Sequence, residues 1–341
     1  MADADLVLEG GGVKGPGLVG ALFALARAAD PYTFHRIAGT SAGAIVASLL
    51  AAGYTVEELG DIMTELDFAQ FEDESPAFKH FKLLGEGFGL LFREGMFRGD
   101  FLHSWIADTL AKKNIVTWAD LKDPDSGSAL PPEQQYKLVV IVSDVSRGRE
   151  LRLPWDYQEL LGVPPDDQLV ADAVRASASI PFFFRPFHMA ADKTVTGGHG
   201  EILCTDGGML SNFPIDIFDR DDNQQQRWPT FGVKLSARQQ IQDANWEPDP
   251  GPLQLALSLI ATMANAHDQM HVDNPEFSSR TIFVDTTGFK STDFHLTNAD
   301  KSTLFNSGAA AGAAFLAAWD WETWKAKWRP HDAGPVVAAK A

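Results

Sequence analysis

Ser41 lies at the centre of the segment GTSAG, residues 39–43. A serine between glycines, on a sharp turn from a strand to a helix, can hold its hydroxyl exposed in a strained backbone conformation. The small residues beside it, with Gly39 and Gly43, allow the turn and leave room for a substrate carbonyl. A helix that begins near Ala42 would point its positive end at the serine and favour developing negative charge. The segment therefore predicts a nucleophile, with an ordinary glycine turn as the alternative.

A second glycine-rich segment, GGGVKG at residues 10–15, directly follows a short apolar run. Such glycines can offer several backbone N–H groups to one oxyanion without an intervening side chain. Two other interpretations stay open, a plain tight turn and a dinucleotide fingerprint with Asp30 as the ribose contact. The fingerprint is a weak match, because Asp30 ends a predicted helix instead of a second strand. The segment is not a phosphate-binding P-loop either, because it lacks the Gly-Lys-Ser/Thr ending of that motif.

Asp206 follows a short predicted strand and precedes two glycines. This position predicts a carboxylate at the carboxyl edge of the sheet, where the sites of open α/β sheets form. A carboxylate held near a serine hydroxyl can accept its proton as a general base. On its own the Asp-Gly-Gly sequence is more often a turn, so its interpretation depends on the two segments before it.

These three segments, in this order, resemble the signatures of the patatin-like phospholipase family. The resemblance implies that Ser41 is the nucleophile and Asp206 the base of a dyad that needs no histidine, metal or organic cofactor. It also implies an oxyanion hole formed by backbone amides of Gly10, Gly11, Gly12 and Val13. The glycines that would support these motifs are Gly15, Gly39, Gly43, Gly207 and Gly208. Residues 175–181, RASASIP, resemble the family's segment before the aspartate, and the signatures together lie within residues 6–214.

Histidines offer a test of the dyad. A Ser-His-Asp triad of the α/β-hydrolase type requires a histidine on a loop after Asp206, and His295 is the better candidate. His267 and His271 lie four apart on a predicted helix and faintly resemble a zinc-binding pair. The glutamate of that motif is replaced and no third ligand is evident, so we predict no metal site.

The elements that must position these segments alternate between strands and helices. Apolar runs predict strands at 6–8, 34–38, 136–142, 201–204, 231–235 and 281–284. Helical spacing predicts helices at 16–29, 44–52, 169–179, 253–271 and 298–321. The alternation predicts an α/β fold, a three-layer α/β/α sandwich with a mostly parallel central sheet of about six strands. Loops rich in Pro, Asp, Gly and Gln are too short to separate domains, so we expect one catalytic domain over residues 1–341.

Phenylalanines concentrate in residues 68–101, which contain eight of the chain's 23. Pairs three or four apart favour core packing, while glycines interrupt any long helix. We hypothesise a mobile apolar cover over the serine in this stretch, which would also meet a lipid surface. Phe182, Phe183, Phe184 and Phe187 are expected to line the acyl pocket or fill the core beneath it.

Composition limits the partners. The chain has 46 acidic and 28 basic residues, a net charge of −18, which repels phosphate backbones and disfavours nucleic acid as a partner. Transient apolar contact with a membrane surface remains compatible with this charge. One cysteine, Cys204, suits a reducing compartment. With no basic and apolar leader at the start and no apolar run of membrane-spanning length, we expect a cytoplasmic protein, and predict no oligomeric state.

We therefore predict a lipid acyl hydrolase of the phospholipase A or lysophospholipase type, acting on a lipid or phospholipid through an acyl-enzyme. An acyltransferase that uses the same dyad is the alternative within this class. Two alternatives from other classes are a nucleotide-binding oxidoreductase that uses residues 10–15 and a catalytically silent lipid-binding module.

Overall fold

A computed structural model describes residues 2–73, 96–220, 225–235, 262 and 273–329 of the chain. Its strands are β1 (Ala2–Leu8), β2 (Tyr32–Thr40), β3 (Leu138–Asp144), β4 (Arg149–Leu153), β5 (Phe187–Ala190), β6 (Glu201–Asp206), β7 (Thr230–Lys234) and β8 (Thr281–Phe283). Its helices are α1 (Gly15–Ala26), α2 (Ala42–Ala51), α3 (Val56–Glu65), α4 (Asp100–Ala111), α5 (Val170–Ser177), α6 (Pro275–Ser279), α7 (Asn298–Ala318) and α8 (Trp321–Trp328).

All eight strands belong to one sheet. The parallel part runs β3-β2-β1-β7-β8, and β3 is buried along all seven residues, as expected for a strand covered on both faces. Antiparallel pairing adds β6 and β4 to β3, and β5 to β6. The predicted α/β fold with a mostly parallel sheet is confirmed, with more strands than the predicted six.

The two strands without a sequence prediction, β4 and β5, are short and antiparallel. In β4, RELRL, buried and solvent-facing residues alternate, and β5 has only four residues. Neither gives the continuous apolar run that reveals a strand buried on both faces.

Strands β2 and β6 meet end to end along one side of β3. Thr40, the last residue of β2, pairs with Ile141, and Asp206, the last residue of β6, pairs with the next residue, Val142. Because β4 pairs with Ile141 and Val142 from the other side, the carboxyl ends of β2 and β6 must face each other. The residues that follow each end are therefore close neighbours.

Helices α1 and α7 approach closely through glycines. A methyl group on Gly308 would collide with the carbonyl of Gly17, and one on Gly20 would collide with the carbonyl of Phe305. The long helix predicted over 298–321 ends at Ala318, and the Asp320 side chain then caps a separate helix, α8. Apart from residue 262, the helix predicted over 253–271 lies outside the described residues. Within the described part of the chain, no helix has the length and apolarity required to cross a bilayer.

Candidate active site

Ser41 occupies a strained turn between β2 and α2. Its backbone angles are φ 52° and ψ −122°, a conformation that residues other than glycine rarely adopt. The turn leaves no space at its flanking glycines, because a methyl group on Gly39 would collide with the Gly43 carbonyl, and one on Gly43 would collide with that of Leu8. Ser41 precedes the first residue of α2, so the positive end of the helix dipole lies at its hydroxyl.

The Ser41 hydroxyl donates a hydrogen bond of 2.5 Å to the Oδ2 atom of Asp206. The other carboxylate oxygen, Oδ1, accepts the backbone N–H of Gly208 at 2.8 Å. Both side chains are buried. The structure thus brings together the two residues that the sequence proposed as nucleophile and base.

Burial raises the pKa of Asp206 to about 6, although the hydrogen bonds from Ser41 and Gly208 act in the opposite direction. Desolvation disfavours the carboxylate more than these two donors stabilise it. A base with a pKa just below neutrality is deprotonated at pH 7 and still able to hold a proton, as general-base chemistry requires.

The two glycines after Asp206 allow the chain to turn tightly. A methyl group on Gly207 would collide with the carbonyl of Ile141. On Gly208 it would lie 2.7 Å from Oδ1 of Asn212. These contacts explain why the carboxylate is followed by two residues without side chains.

The glycine turn at residues 10–12 lies directly against Ser41, since a methyl group on Gly10 would be 3.0 Å from the serine Cβ atom. Of the four oxyanion donors predicted at residues 10–13, two are engaged within the protein. The N–H of Val13 donates to the Ser291 carbonyl at 3.0 Å, and that of Gly10 donates to the Asn212 carbonyl at 3.4 Å. Among the described residues, the amides of Gly11 and Gly12 have no hydrogen-bond acceptor.

A buried ion pair anchors the turn at the residue that precedes it, Glu9. The Glu9 carboxylate pairs with the ammonium of Lys234 and accepts the backbone N–H of Leu235. The amide of Asn212 donates to the carbonyl of Gly10 at 3.3 Å. Because Glu9 precedes the turn directly, these contacts fix the direction in which the glycine amides point.

An apolar cavity, partly open to solvent, lies beside Ser41, and its empty volume of about 500 Å³ includes the open solvent at its mouth. Helices α2 and α3 contribute aliphatic side chains to it, and aromatic rings close it. Its lining residues are Gly12, Val13, Gly15, Ser41, Ala42, Ile45, Val46, Met63, Leu66, Phe68, Phe71, Leu102, Ala178, Ile180, Phe184 and Phe294. The lining contains no charged side chain, which suits a hydrocarbon chain and not a polar ligand.

The phenylalanine-rich segments contribute to this cavity from several directions. Phe68 and Phe71 are buried in its wall. Phe184 also lines the cavity, which is one of the two positions expected for the phenylalanines after residue 181. Phe97 is buried and pairs with Phe184 in a short β-bridge. The central part of the hypothesised cover, residues 74–95, lies outside the described residues.

No described histidine contacts the pair. His295 is largely exposed, and its Nε2 atom lies 3.4 Å from a carboxylate oxygen of Glu72. Asp206 instead accepts the hydrogen bond from the Ser41 hydroxyl directly. His267 and His271 lie outside the described residues, and the part of the chain that is described contains no group of three or more potential metal ligands.

The structure places Asp30 away from the position that a dinucleotide fingerprint requires. It lies before β2, level with the start of β1, because Tyr32 pairs with Ala2. The glycine turn follows the opposite end of β1. Asp30 therefore cannot contact a ribose whose phosphates rest on residues 10–15.

Sequence reasoning missed two contributors. Phe294 closes the cavity from the C-terminal third, where no motif marks it, and its ring lies 5.9 Å from that of Phe184. Ser177 accepts the backbone N–H of Ser41 at 2.8 Å. Its signal was present, because it lies in the RASASIP segment that resembles the family.

The family model for patatin-like phospholipases matches residues 6–219, more than half of the chain. The chain belongs to the patatin-like phospholipase family. Membership supports the general class of lipid hydrolase. The matched range includes Ser41, Asp206 and the glycine turn.

Known relatives cover nearly the whole chain. An uncharacterised protein of Bacillus subtilis (strain 168) is 35% identical over 315 residues, which cover 92% of this chain and 98% of that protein. Another uncharacterised protein, from Acanthamoeba polyphaga mimivirus, is 26% identical over 309 residues, or 89% and 90% of the two chains. The crystal structure of VipD from Legionella pneumophila superposes with a TM-score of 0.52 at 18% identity, covering 92% of this chain and 67% of VipD. This likeness shows a shared fold.

Proposed function

We propose that this protein hydrolyses acyl esters of lipids, as a phospholipase A or lysophospholipase, through a Ser41–Asp206 dyad. The observation that carries the proposal is the 2.5 Å hydrogen bond between the two side chains, at the edge of an apolar cavity. Asp206 takes the hydroxyl proton while Ser41 Oγ bonds to the acyl carbon. As the ester C–O bond breaks, the leaving alcohol takes that proton from Asp206. Water then attacks the acyl carbon and gives a proton to Asp206, which passes it to Ser41 Oγ as the fatty acid is released.

The amides of Gly11 and Gly12 are the proposed main donors to the oxyanion. Each donor aimed at developing charge contributes roughly 10²–10³ in rate. Gly10 adds a third amide, because its bond to Asn212 is long at 3.4 Å and weak. Val13 can join them only if its N–H leaves the Ser291 carbonyl.

The cavity is the proposed site of the acyl chain. Burial of each methylene contributes about 0.8 kcal/mol, so the apolar, uncharged wall favours lipid esters over short polar ones. The leaving group is the glycerol alcohol that carries the headgroup, and it would point out of the cavity towards solvent. No cofactor is required for these steps.

The test is release of free fatty acid from phosphatidylcholine in mixed micelles. Ser41→Ala and Asp206→Asn are expected to lower kcat by about a thousandfold or more, because each removes a member of a unit that acts together. Ser48→Ala is the matched control, since Ser48 is also buried, lies on α2 and donates its hydroxyl proton to the Ile45 carbonyl. Fatty-acid release by Ser41→Ala at the wild-type rate would contradict the dyad.

A further inference from the structure

The segment RASASIP at residues 175–181 lies against the turn that carries Ser41. It begins in the last turn of α5 and continues as the chain leaves that helix. Within it, Ser177 is completely buried. A buried hydroxyl needs hydrogen-bond partners, so those of Ser177 indicate what it does.

Ser177 connects the nucleophile turn to the middle of the sheet. Its Oγ atom accepts the backbone N–H of Ser41 at 2.8 Å and donates to the carbonyl of Ile141 at 2.6 Å. Ile141 is the residue of β3 that pairs with Thr40. One hydroxyl therefore ties Ser41 to the strand against which both β2 and β6 are aligned.

The backbone amide of Ser41 has no partner of its own in the helix it precedes. The first N–H groups of a helix lack acceptors within that helix, and an unsatisfied buried donor is costly. Ser177 supplies the missing acceptor. The strained φ of 52° at Ser41 thus persists with its amide satisfied by Ser177.

The same short segment also holds the base. The carbonyl of Ser179 accepts the backbone N–H of Asp206 at 2.9 Å. Arg175 fixes Ser179 in turn, donating to its hydroxyl and to the carbonyls of Gly99 and Arg185. Two serines two residues apart therefore contact the backbones of the two dyad members.

We propose that Ser177 is a positioning residue that holds the Ser41 backbone so that its hydroxyl points at Asp206. This inference rests on the proposed hydrolase function and deepens it. Ser177 does not touch substrate in this account. It acts by fixing the turn, and the Arg175–Ser179 segment sets the register between nucleophile and base.

The test compares kinetics of Ser177→Ala and Ser177→Cys with the wild type on the micellar substrate. Ser177→Ala is expected to lower kcat by about 10- to 100-fold, the scale of a small misplacement of a reacting group. KM should stay within about twofold, because the cavity wall does not include Ser177. The thiol of Ser177→Cys keeps the shape but is a weak acceptor, so an intermediate loss is expected.

The acidic limb of the pH profile separates positioning from a general loss of stability. The hydrogen bond from Ser41 lowers the pKa of Asp206, so loosening the serine should move this limb to higher pH in Ser177→Ala. Ser48→Ala, of similar size and burial, should change neither kcat nor the limb. If the Ser177→Ala protein does not fold, the kcat and the acidic limb of Ser177→Cys provide the test.

The inference is overturned if the Ser177 variant that folds keeps kcat within twofold of the wild type, or loses no more than Ser48→Ala does. It is equally overturned if kcat falls while the acidic limb stays in place. Failure of the hydrolase proposal looks different, because the wild type itself would then release no fatty acid above the Ser41→Ala background.

Discussion

Ser41 and Asp206 share one buried hydrogen bond, and in the proposed dyad the protonation state of Asp206 decides when the pair can react. Burial raises the pKa of this carboxyl to about 6. Below that pH the carboxyl is already protonated and cannot accept the serine proton. Above it the carboxylate is free to act as the proposed base.

The first prediction concerns pH. We expect kcat/KM to fall about tenfold per pH unit below pH 6 and to level off above it, because only the deprotonated form of Asp206 is active. Initial rates on a soluble ester between pH 4.5 and 8 would show this, with circular dichroism confirming that the protein stays folded. A flat profile down to pH 4.5 would remove Asp206 from the role of base.

The second prediction concerns strain at position 41. Both Ser41→Ala and Ser41→Gly remove the nucleophile, but only glycine adopts φ 52° and ψ −122° at low cost. We expect the free energy of unfolding of Ser41→Gly to exceed that of Ser41→Ala by about 1 kcal/mol, after allowance for the greater freedom of glycine in the unfolded chain. Equal values in urea denaturation would show that the turn stores no strain.

At the scale of elements, glycines decide which helices and strands can touch. The pair α1 and α7 packs with backbones in contact at Gly17 and Gly308, whereas Gly60 on α3 has open space around its Cα atom. The same type of residue therefore has opposite consequences in two helices.

This difference gives the third prediction. Gly308→Ala should lower the free energy of unfolding by about 1–3 kcal/mol, because the new methyl group overpacks the contact between the helices. Gly60→Ala, the matched control, should raise it by about 0.5–1 kcal/mol through helix propensity. Chemical denaturation of the two variants measures both, and a stabilised Gly308→Ala would show that the helices do not pack as described.

The elements also show what sequence could predict. Long apolar runs such as that of β3 and the glycine-to-helix transitions at Gly15 and Ala42 were located to within a few residues, since burial on both faces leaves a strong pattern. The strand β4 and the end of α7 at Ala318 were not, because alternation with charged residues and a local cap after an alanine-rich run are weak signals. Tertiary contacts decided both.

At the scale of the whole molecule, motif order predicted the candidate site better than any single motif did. Ser41 and Asp206 are 165 residues apart, and no periodicity indicates that β2 and β6 meet end to end against β3. The resemblance to the patatin-like phospholipase family supplied the pairing that spacing alone could not. The supporting contact from Ser177 and the wall residue Phe294 depend on how distant segments pack, so they required the structure.

The fourth prediction follows from the net charge of −18. Repulsion from anionic vesicles should slow hydrolysis of their lipids at low salt, and added salt should relieve it as the screening length shortens to about 3 Å at 1 M. We expect rates on anionic vesicles to rise several-fold between about 20 mM and about 500 mM NaCl, because the screening of charges strengthens over this range. Rates on zwitterionic vesicles, the control, should change little, and identical salt dependence on both surfaces would contradict the electrostatic account.

The most direct test of the central claim is covalent labelling with a fluorophosphonate, followed by peptide mapping. We predict a single adduct on Ser41 in the wild type and in Ser48→Ala. Ser41→Ala should carry no adduct, and labelling of Asp206→Asn should be strongly slowed. An adduct on another serine, or an unlabelled wild type that still hydrolyses ester, would contradict the Ser41–Asp206 dyad.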